Sequence, residues 1–178
     1  MAALSAARVA RPVVAALVAA RLAELRVARR NEAALRATGA REHGAAHFPA
    51  FFVLHPAWLL GMLFEPRPDE ARPRWPLLAA LAGTQAVRMW TMRTLGEQWT
   101  TRILITPGRE RVTGGPYRWL RDPAYAAVAV EVVCAPLALR APRTALAAGL
   151  ANAALLAIRI PAEHRAESTR DVPSRPVG

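Results

Sequence analysis

The sequence predicts an all-α, polytopic membrane protein of about five transmembrane helices. Three observations lead to this expectation. Hydrophobic residues make up 53% of the chain and its mean hydropathy is positive. These residues are gathered into long blocks, separated by charged and proline-rich stretches. Each block approaches the ~20 residues that a helix needs to cross about 30 Å of hydrocarbon.

The five apolar blocks cover residues 9–25, 47–64, 75–95, 124–139 and 144–160. The first is the most interrupted, because Arg11, Arg21 and Glu24 leave only residues 13–20 free of charge. This run could also serve as the hydrophobic region of a signal peptide, but no small-x-small cleavage site precedes a mature domain. We therefore expect a retained first helix. Residues 1–170 are predicted to form a single integral-membrane domain and 171–178 a disordered tail.

The connecting segments differ in character. The first loop ends its helical pattern at Thr38-Gly39, which is a typical helix stop. The second, residues 65–74, is rich in proline and predicts a short turn. The third loop, residues 96–123, contains the turn signals TPG at 106–108 and GGP at 114–116, with a short helical piece expected at 118–120.

All 24 cationic residues are arginine, and the formal net charge is +11. Such a charge often indicates nucleic acid or anionic lipid. No nucleic-acid motif accompanies it, however, and an arginine-rich chain without lysine is what GC-biased codon usage produces. We expect the lipid bilayer as a partner and no nucleic acid.

The positions of the arginines predict the topology. With five spans, the arginines are concentrated in the first loop, the third loop and the C-terminal tail, which share one side. By the positive-inside rule that side is cytoplasmic, in a bacterial inner membrane. The opposite loops also hold arginine, but several acidic residues dilute it.

Four polar residues fall inside the apolar blocks, where each is costly unless it faces other helices or water. They are Arg88, Glu131, Asn152 and Arg159. For the two arginines, snorkelling towards the interface is a sufficient alternative explanation. Glu131 needs a cationic partner, which Arg88 or Arg159 could supply. A structural ion pair and a direct part in chemistry both remain open for it. Asn152 suits an interhelical hydrogen bond.

Other chemistries find little support in the sequence. His43 and His47 have i, i+4 spacing, but a third metal ligand of matching spacing is missing, so no metal site is expected. The GxGxxG, Walker and GxSxG patterns are absent, which argues against nucleotide-fold and serine-hydrolase chemistry.

Two motifs carry a family resemblance. GGPYR at 114–118, followed by RDPAY at 121–125, resembles the (S/G)GPYR…RHPxY signature of the isoprenylcysteine carboxyl methyltransferase and phospholipid methyltransferase superfamily. Glu131 and the RIPAEH segment at 159–164 are similar to the glutamate and the terminal R-x-x-x-E-E element of that superfamily. Segments such as LHPAWLLGML and LGEQWTTRILITPG resemble the bacterial branch that accompanies type III polyketide synthases and O-methylates alkylresorcinols or alkylpyrones.

The resemblance implies a small membrane enzyme that binds S-adenosylmethionine in a cytoplasmic pocket made by the third loop, the start of the fourth helix and the C-terminal element. A lipophilic small-molecule acceptor would enter from the bilayer, and a type III polyketide synthase is a candidate partner. The implied cofactor-binding residues are Gly115, Pro116, Tyr117, Arg118, Arg121, Pro123, Tyr125 and Glu163.

These residue types suit the cofactor. A sulfonium is stabilised by aromatic faces such as those of Tyr117, Trp119 and Tyr125. Its amino-acid carboxylate suits Arg118 or Arg121. A glutamate in the C-terminal element suits the amine and the ribose hydroxyls. Methyl transfer is an in-line displacement, so much of its acceleration can come from positioning.

A phenolic acceptor, with a pKa of ~10, would also need a base. The candidates are Glu131, His164 and Asp122, and the sequence does not choose among them. Two of these depart from the family pattern: Asp122 replaces a histidine and His164 replaces an acid. The departures could be an exchange of partners within one pocket, or they could mark weakened activity.

Three functions therefore compete. The first is O-methylation of a long-chain phenol or pyrone, and the second is methylation of a prenylcysteine carboxylate or a phospholipid amine. The third is a non-catalytic membrane homologue that scaffolds a lipid-synthesis partner.

Overall fold

A computed structural model describes residues 5–45, 48–65 and 71–168. Five helices dominate it: α1 Ala6–Ala37, α2 Phe48–Phe64, α3 Trp75–Leu95, α4 Pro123–Ala138 and α5 Pro142–Glu167. Each contains or matches one of the predicted apolar blocks. The mostly helical architecture is confirmed. His47, residues 66–70 of the second loop and the 171–178 segment lie outside the described residues.

The all-α prediction agrees with this architecture, to which the structure adds one small sheet. Strands β1 Arg41–His43 and β2 Ile103–Ile105 pair antiparallel, with Glu42 opposite Leu104. Strands of three residues are too short to show the alternating pattern by which a strand is predicted from sequence. In addition, these two strands come from loops that are far apart in the sequence.

The five-span prediction is supported only in part. Among the described residues, α5 alone is long and apolar enough to cross a membrane, whereas α2 and α4 are apolar but shorter. With 17 and 16 residues, α2 and α4 fall below the ~20 needed for a straight crossing. Helices α1 and α3 have the length but carry charged side chains. Five transmembrane helices therefore stay a prediction.

The core of the bundle is built from small and aliphatic side chains. Ala10, Val14 and Leu17 form the buried stripe of α1, at the spacing expected for one helix face. Trp58 of α2 is 2% exposed and its indole N–H donates to the carbonyl of Val132 at 3.0 Å. This bond satisfies the one polar atom of a large buried side chain.

One end of the bundle collects the first loop, the third loop and the end of α5. The β1–β2 sheet joins the two loops, and Ile103 and Ile105 pack against Ala162 and Ala166 of α5. Helix α1 ends at Ala37 and is followed by Gly39 with φ 86°, as Thr38-Gly39 predicted. The first loop, the third loop and the end of α5 therefore lie at the same end of the bundle. The topology prediction places these segments on one side of the membrane.

The opposite end is fastened by a carboxylate. Glu65, just after α2, accepts hydrogen bonds from the backbone N–H groups of Arg143 at 3.0 Å and Thr144 at 2.7 Å. The Thr144 hydroxyl donates to the same carboxylate at 2.6 Å. A negative group at this position satisfies amides of the first turn of α5 and suits the helix dipole.

Candidate active site

A cavity of about 420 Å³ lies between the helices and the third loop. Side chains from all five helices line it, together with residues of the segment between α3 and α4. Its polar end lies beside the β1–β2 sheet and the end of α5. Its apolar arm runs between α1 and α2. This volume falls in the range of small-molecule binding sites.

Three side chains, contributed by α4 and α5, form a hydrogen-bonded network at the polar end of the cavity. The Tyr125 hydroxyl donates to the Glu163 carboxylate and accepts from Arg159 Nε at 2.7 Å. Arg159 Nη2 also donates to the Thr101 carbonyl at 2.7 Å. Arg159 is only 8% exposed, so it does not snorkel to the interface. It positions two of the residues that the family motif singles out.

Asp122 and His164 meet at the edge of this cluster. His164 Nε2 lies 2.9 Å from Asp122 Oδ2, and both side chains are about one-quarter exposed. Asp122 lines the cavity, whereas His164 holds it from behind. The two residues that depart from the family pattern are therefore in direct contact, as their proposed exchange requires.

Tyr117 and Arg121 also line the cavity. Burial, together with the nearby Glu163 and Asp122 carboxylates, raises the pKa of Tyr117 far above its ordinary value, so its phenol stays neutral. Arg121 lies 3.9 Å from Glu167, which also pairs with Arg111 at 3.5 Å. Glu167 lies outside the family motif, but it forms part of the cavity wall.

The turn that contains the GGP motif packs closely against α3. Gly115 has φ 57°, and a Cβ added there would lie 2.4 Å from Thr94 Oγ1 in α3. Only glycine permits this approach and this conformation at low cost. Pro116 and Pro123 are buried, begin helical turns, and do not line the cavity.

Arg118 and Trp119 point away from the cavity. Trp119 is 69% exposed and packs on Trp90 of α3, and Arg118 lies over the Trp119 ring. Trp119 was among the aromatic residues predicted to face the sulfonium, and that interpretation is wrong for its position here. In the 3₁₀ turn Gly115–Arg118, Tyr117 lines the cavity, whereas Arg118 and the following Trp119 do not.

Glu131 is 1% exposed and bonded to Arg21 of α1. Arg21 also contacts Glu24, which in turn accepts from Arg88 Nε at 3.1 Å. The predicted partners of Glu131 were Arg88 or Arg159, and neither contacts it directly. Arg88 is linked to it only through Glu24 and Arg21 of α1.

This charge network forms the floor of the cavity. Arg21, Glu24 and Arg88 line it, whereas Glu131 lies behind Arg21 and does not. In the sequence, Arg21 and Glu24 are visible only as interruptions of an apolar block. Their i, i+3 spacing was the available signal, because it places opposite charges on one helix face.

Two buried arginines keep part of their guanidinium free. Within the described ranges, Nη1 of Arg88 and of Arg159 has no protein hydrogen-bond partner, and neither atom is sealed from solvent. Both residues are 8% exposed and line the cavity. Each of these two side chains, which line the cavity, therefore keeps one N–H group that no described residue accepts.

The apolar arm opens sideways. Leu22 of α1 and Phe52 of α2 line the cavity and are 61% and 53% exposed to solvent. Side chains that belong to both the cavity and the surface mark an opening between the two helices. Phe48 and Phe51 continue the apolar lining inward.

Glu32 and Asn31 hold the loop over the polar end. The Glu32 carboxylate accepts from the backbone N–H groups of Thr101 at 2.9 Å and Arg102 at 3.2 Å. The Asn31 side chain donates to the carbonyls of Gly96 and Trp99, each at 2.9 Å. The extension of α1 beyond its apolar block thus positions the segment that walls the cavity.

Comparison with known proteins agrees with the motifs. The model of the isoprenylcysteine carboxyl methyltransferase (ICMT) family matches residues 77–167. The chain is 38% identical over 156 residues to the uncharacterized protein YpbQ of Bacillus subtilis (strain 168), covering 86% of this chain and 93% of that protein. No solved structure matches the chain. The protein belongs to the isoprenylcysteine carboxyl methyltransferase family, whose members are membrane methyltransferases that use S-adenosylmethionine.

Proposed function

We propose that the protein is an S-adenosylmethionine-dependent O-methyltransferase that acts on a lipidic acceptor, a long-chain phenol or pyrone of the alkylresorcinol type. The observation that carries this proposal is the continuity of the cavity. The motif residues Tyr117, Asp122, Tyr125 and Glu163 line one end, and the same space runs into an apolar arm that opens between α1 and α2.

The polar end suits the charges of the methyl donor. The rings of Tyr117 and Tyr125 can face the sulfonium, and Glu163 can accept from the amine or the ribose hydroxyls. For the amino-acid carboxylate, Arg121 is favoured over Arg118 because Arg121 lines the cavity and Arg118 is directed outward. The cofactor supplies an activated methyl group, and the protein supplies binding and alignment.

The floor of the cavity suits an acceptor with negative charge on oxygen. Arg88 at the floor and Arg159 at the polar end are held in place by their other hydrogen bonds, and donors preorganised in this way stabilise an oxyanion well. In the reaction the acceptor oxygen bonds the methyl carbon as the carbon–sulfur bond breaks, and the acceptor proton leaves to a base. Of the candidate bases, Asp122 lines the cavity with His164 bonded to it, whereas Glu131 is screened by Arg21. We assign Asp122–His164 to the proton and Glu131 to positioning.

The alternatives differ in what they need from the cavity. A phospholipid amine would gain nothing from the two free arginine N–H groups, because an amine nucleophile is neutral and becomes cationic. A prenylcysteine carboxylate would use them, as a phenolate does. A non-catalytic homologue that scaffolds a lipid-synthesis partner, such as a type III polyketide synthase, would not need the cavity at all.

The test uses the full chain in lipid vesicles with methyl-labelled S-adenosylmethionine. We expect label in the ether of a long-chain resorcinol and none in phosphatidylethanolamine. Label confined to a farnesylated cysteine carboxylate would favour the carboxyl methyltransferase alternative.

Cofactor binding is measured separately, by titrating S-adenosylhomocysteine into the detergent-solubilised protein. We expect Glu163→Gln to weaken this binding, and the matched change Glu97→Gln, at a side chain that is 74% exposed, to leave it unchanged. Absence of binding up to millimolar ligand would establish the non-catalytic alternative.

A further inference from the structure

A patch of exposed aromatic side chains lies outside the cavity, where the third loop packs on α3. Trp119 is 69% exposed and Trp90 is 44% exposed, and their ring centroids are 5.5 Å apart. Leu120 beside them is 49% exposed. Isolated exposed apolar residues are ordinary, but two exposed tryptophans that pack on each other from two elements, with rings tilted by 59°, form a surface that suits a partner.

Two arginines flank the tryptophans. The Arg118 guanidinium lies 5.8 Å from the centroid of the Trp119 ring. Arg93 lies three positions after Trp90 on α3, and therefore on the same helix face. Both side chains are exposed, and neither takes part in an ion pair among the described residues. The patch therefore offers two cations that no described carboxylate neutralises.

The position of the patch favours a lipid over a soluble partner. Gly115 packs on Thr94, next to Arg93, so the patch lies at the end of the bundle that holds the β1–β2 sheet. Trp90 and the adjacent Met89, which is 47% exposed, both belong to the block of α3 that is predicted to cross the bilayer. Tryptophan is enriched where a membrane protein meets the headgroup layer, and arginine beside it attracts anionic lipid.

We propose that Trp90, Arg93, Arg118 and Trp119 form a binding site for the headgroup of an anionic phospholipid. The two indole rings lie at the level of the headgroups, and the two guanidinium groups bind the phosphate through charge-assisted hydrogen bonds. The site is distinct from the cavity, although Tyr117 belongs to the same short turn and lines the cavity.

The test places the full chain in phosphatidylcholine nanodiscs that contain a small fraction of brominated phosphatidylglycerol or, in a parallel sample, of brominated phosphatidylcholine. Bromine quenches tryptophan fluorescence on contact. We expect stronger quenching by the anionic lipid than by brominated phosphatidylcholine. In Arg93→Gln/Arg118→Gln this preference for the anionic lipid should fall roughly fivefold for each arginine removed. Trp90→Phe/Trp119→Phe should lose the excess of quenching by the anionic lipid, while Trp75, 55% exposed at the other end of α3, is quenched equally by the two lipids.

Matched variants separate this site from general charge and from misfolding. Arg29→Gln/Arg30→Gln removes two exposed arginines from α1 at the same end of the bundle and should keep the preference. Arg93→Lys/Arg118→Lys retains the charge and should keep most of it.

Equal quenching by the two brominated lipids would overturn the proposal, leaving only a non-selective aromatic interface. So would a preference that survives Arg93→Gln/Arg118→Gln. If lipid does not quench but aqueous acrylamide does, the face is open to a soluble protein or nucleic acid and the lipid assignment is wrong.

Discussion

Arg21 and Glu131 are 110 positions apart in the chain, yet a single guanidinium nitrogen of Arg21 donates to both carboxylate oxygens of Glu131. The pair ties α1 to α4, and Glu24 extends it to Arg88 in α3. Two cations and two anions thus neutralise one another beneath the cavity. Each would be costly alone in a low-dielectric interior, and together they set the relative positions of three helices.

Removing one member of this network should destabilise the protein strongly. Glu131→Gln leaves the Arg21 charge without the carboxylate whose two oxygens accept from it, and breaking a buried pair in this way typically costs about 3–5 kcal/mol. We expect a clear fall in the thermal unfolding midpoint of the detergent-solubilised protein. The double change Arg21→Met/Glu131→Leu, which removes both charges, should be less destabilising than Glu131→Gln. A midpoint for Glu131→Gln no lower than that of the exposed-site control Arg29→Gln would contradict the structural role.

Gly115→Ala should damage the turn that carries Tyr117. The new methyl group would lie 2.4 Å from Thr94 Oγ1, and the φ of 57° is unfavourable for alanine. We expect weaker S-adenosylhomocysteine binding by calorimetry and a lower unfolding midpoint. Adding Thr94→Ala removes the Oγ1 and Cγ2 contacts and should restore part of the loss. The matched control is Gly114→Ala, where an added Cβ meets no atom within 4 Å. Equal effects at the two glycines would argue against the close approach.

The sequence predicted the helices and the meeting of the motifs better than it predicted the partners of buried charges. Residues 75–95 match α3 because apolar length and the flanking residues determine a helix locally. The contact between Asp122 and His164 could be predicted because both residues depart from the same family pattern, one in place of a histidine and the other in place of an acid. The Arg21–Glu131 pair could not be chosen over Arg88–Glu131, since hydropathy says where helices lie in the chain and not which helices adjoin. The outward orientation of the Trp119 side chain depends on the direction of one turn, and the pattern of apolar residues in the sequence does not predict that direction.

Glu65 should make stability depend on acid pH. Burial alone would raise the pKa of its carboxyl, but hydrogen bonds from the Thr144 hydroxyl and amide outweigh this and lower the pKa below its ordinary value. A lowered folded-state pKa stabilises the folded protein above the unfolded-state pKa of about 4.3, and this contribution is lost as pH falls through the folded-state value. We expect Glu65→Gln to lower the unfolding midpoint at pH 7, and the gap from wild type to narrow as the pH falls below about 4. A gap that is constant across this range would show that the charge on Glu65 does not matter.

The topology can be tested with single cysteines. Five spans and the distribution of arginine predict that the third loop faces the cytoplasm and the second loop faces outward. In a Cys134→Ala background, an impermeant thiol reagent added to intact cells should label Arg72→Cys and should label Arg109→Cys only after the cells are opened. Arg72 is exposed and the Arg109 side chain is 36% exposed, so a reagent that reaches either side can contact the side chain there. The reverse labelling pattern would show that the protein has the opposite orientation in the membrane.

The contact between Asp122 and His164 predicts a coupled response to substitution. Asp122→His alone would place two imidazoles in contact, and His164→Glu alone would place two carboxylates there, so each should reduce methyl transfer. The double change Asp122→His/His164→Glu restores one of each and reproduces the order found in the family motif, so it should recover much of the activity. Contacting residues typically couple by about 0.5–3 kcal/mol in such a cycle. S-adenosylhomocysteine affinity, measured on the same four proteins, separates a loss of cofactor binding from a loss of chemistry. Additive effects of the two single changes, or a rise in turnover for Asp122→His alone, would mean that the two residues do not act as an exchanged pair.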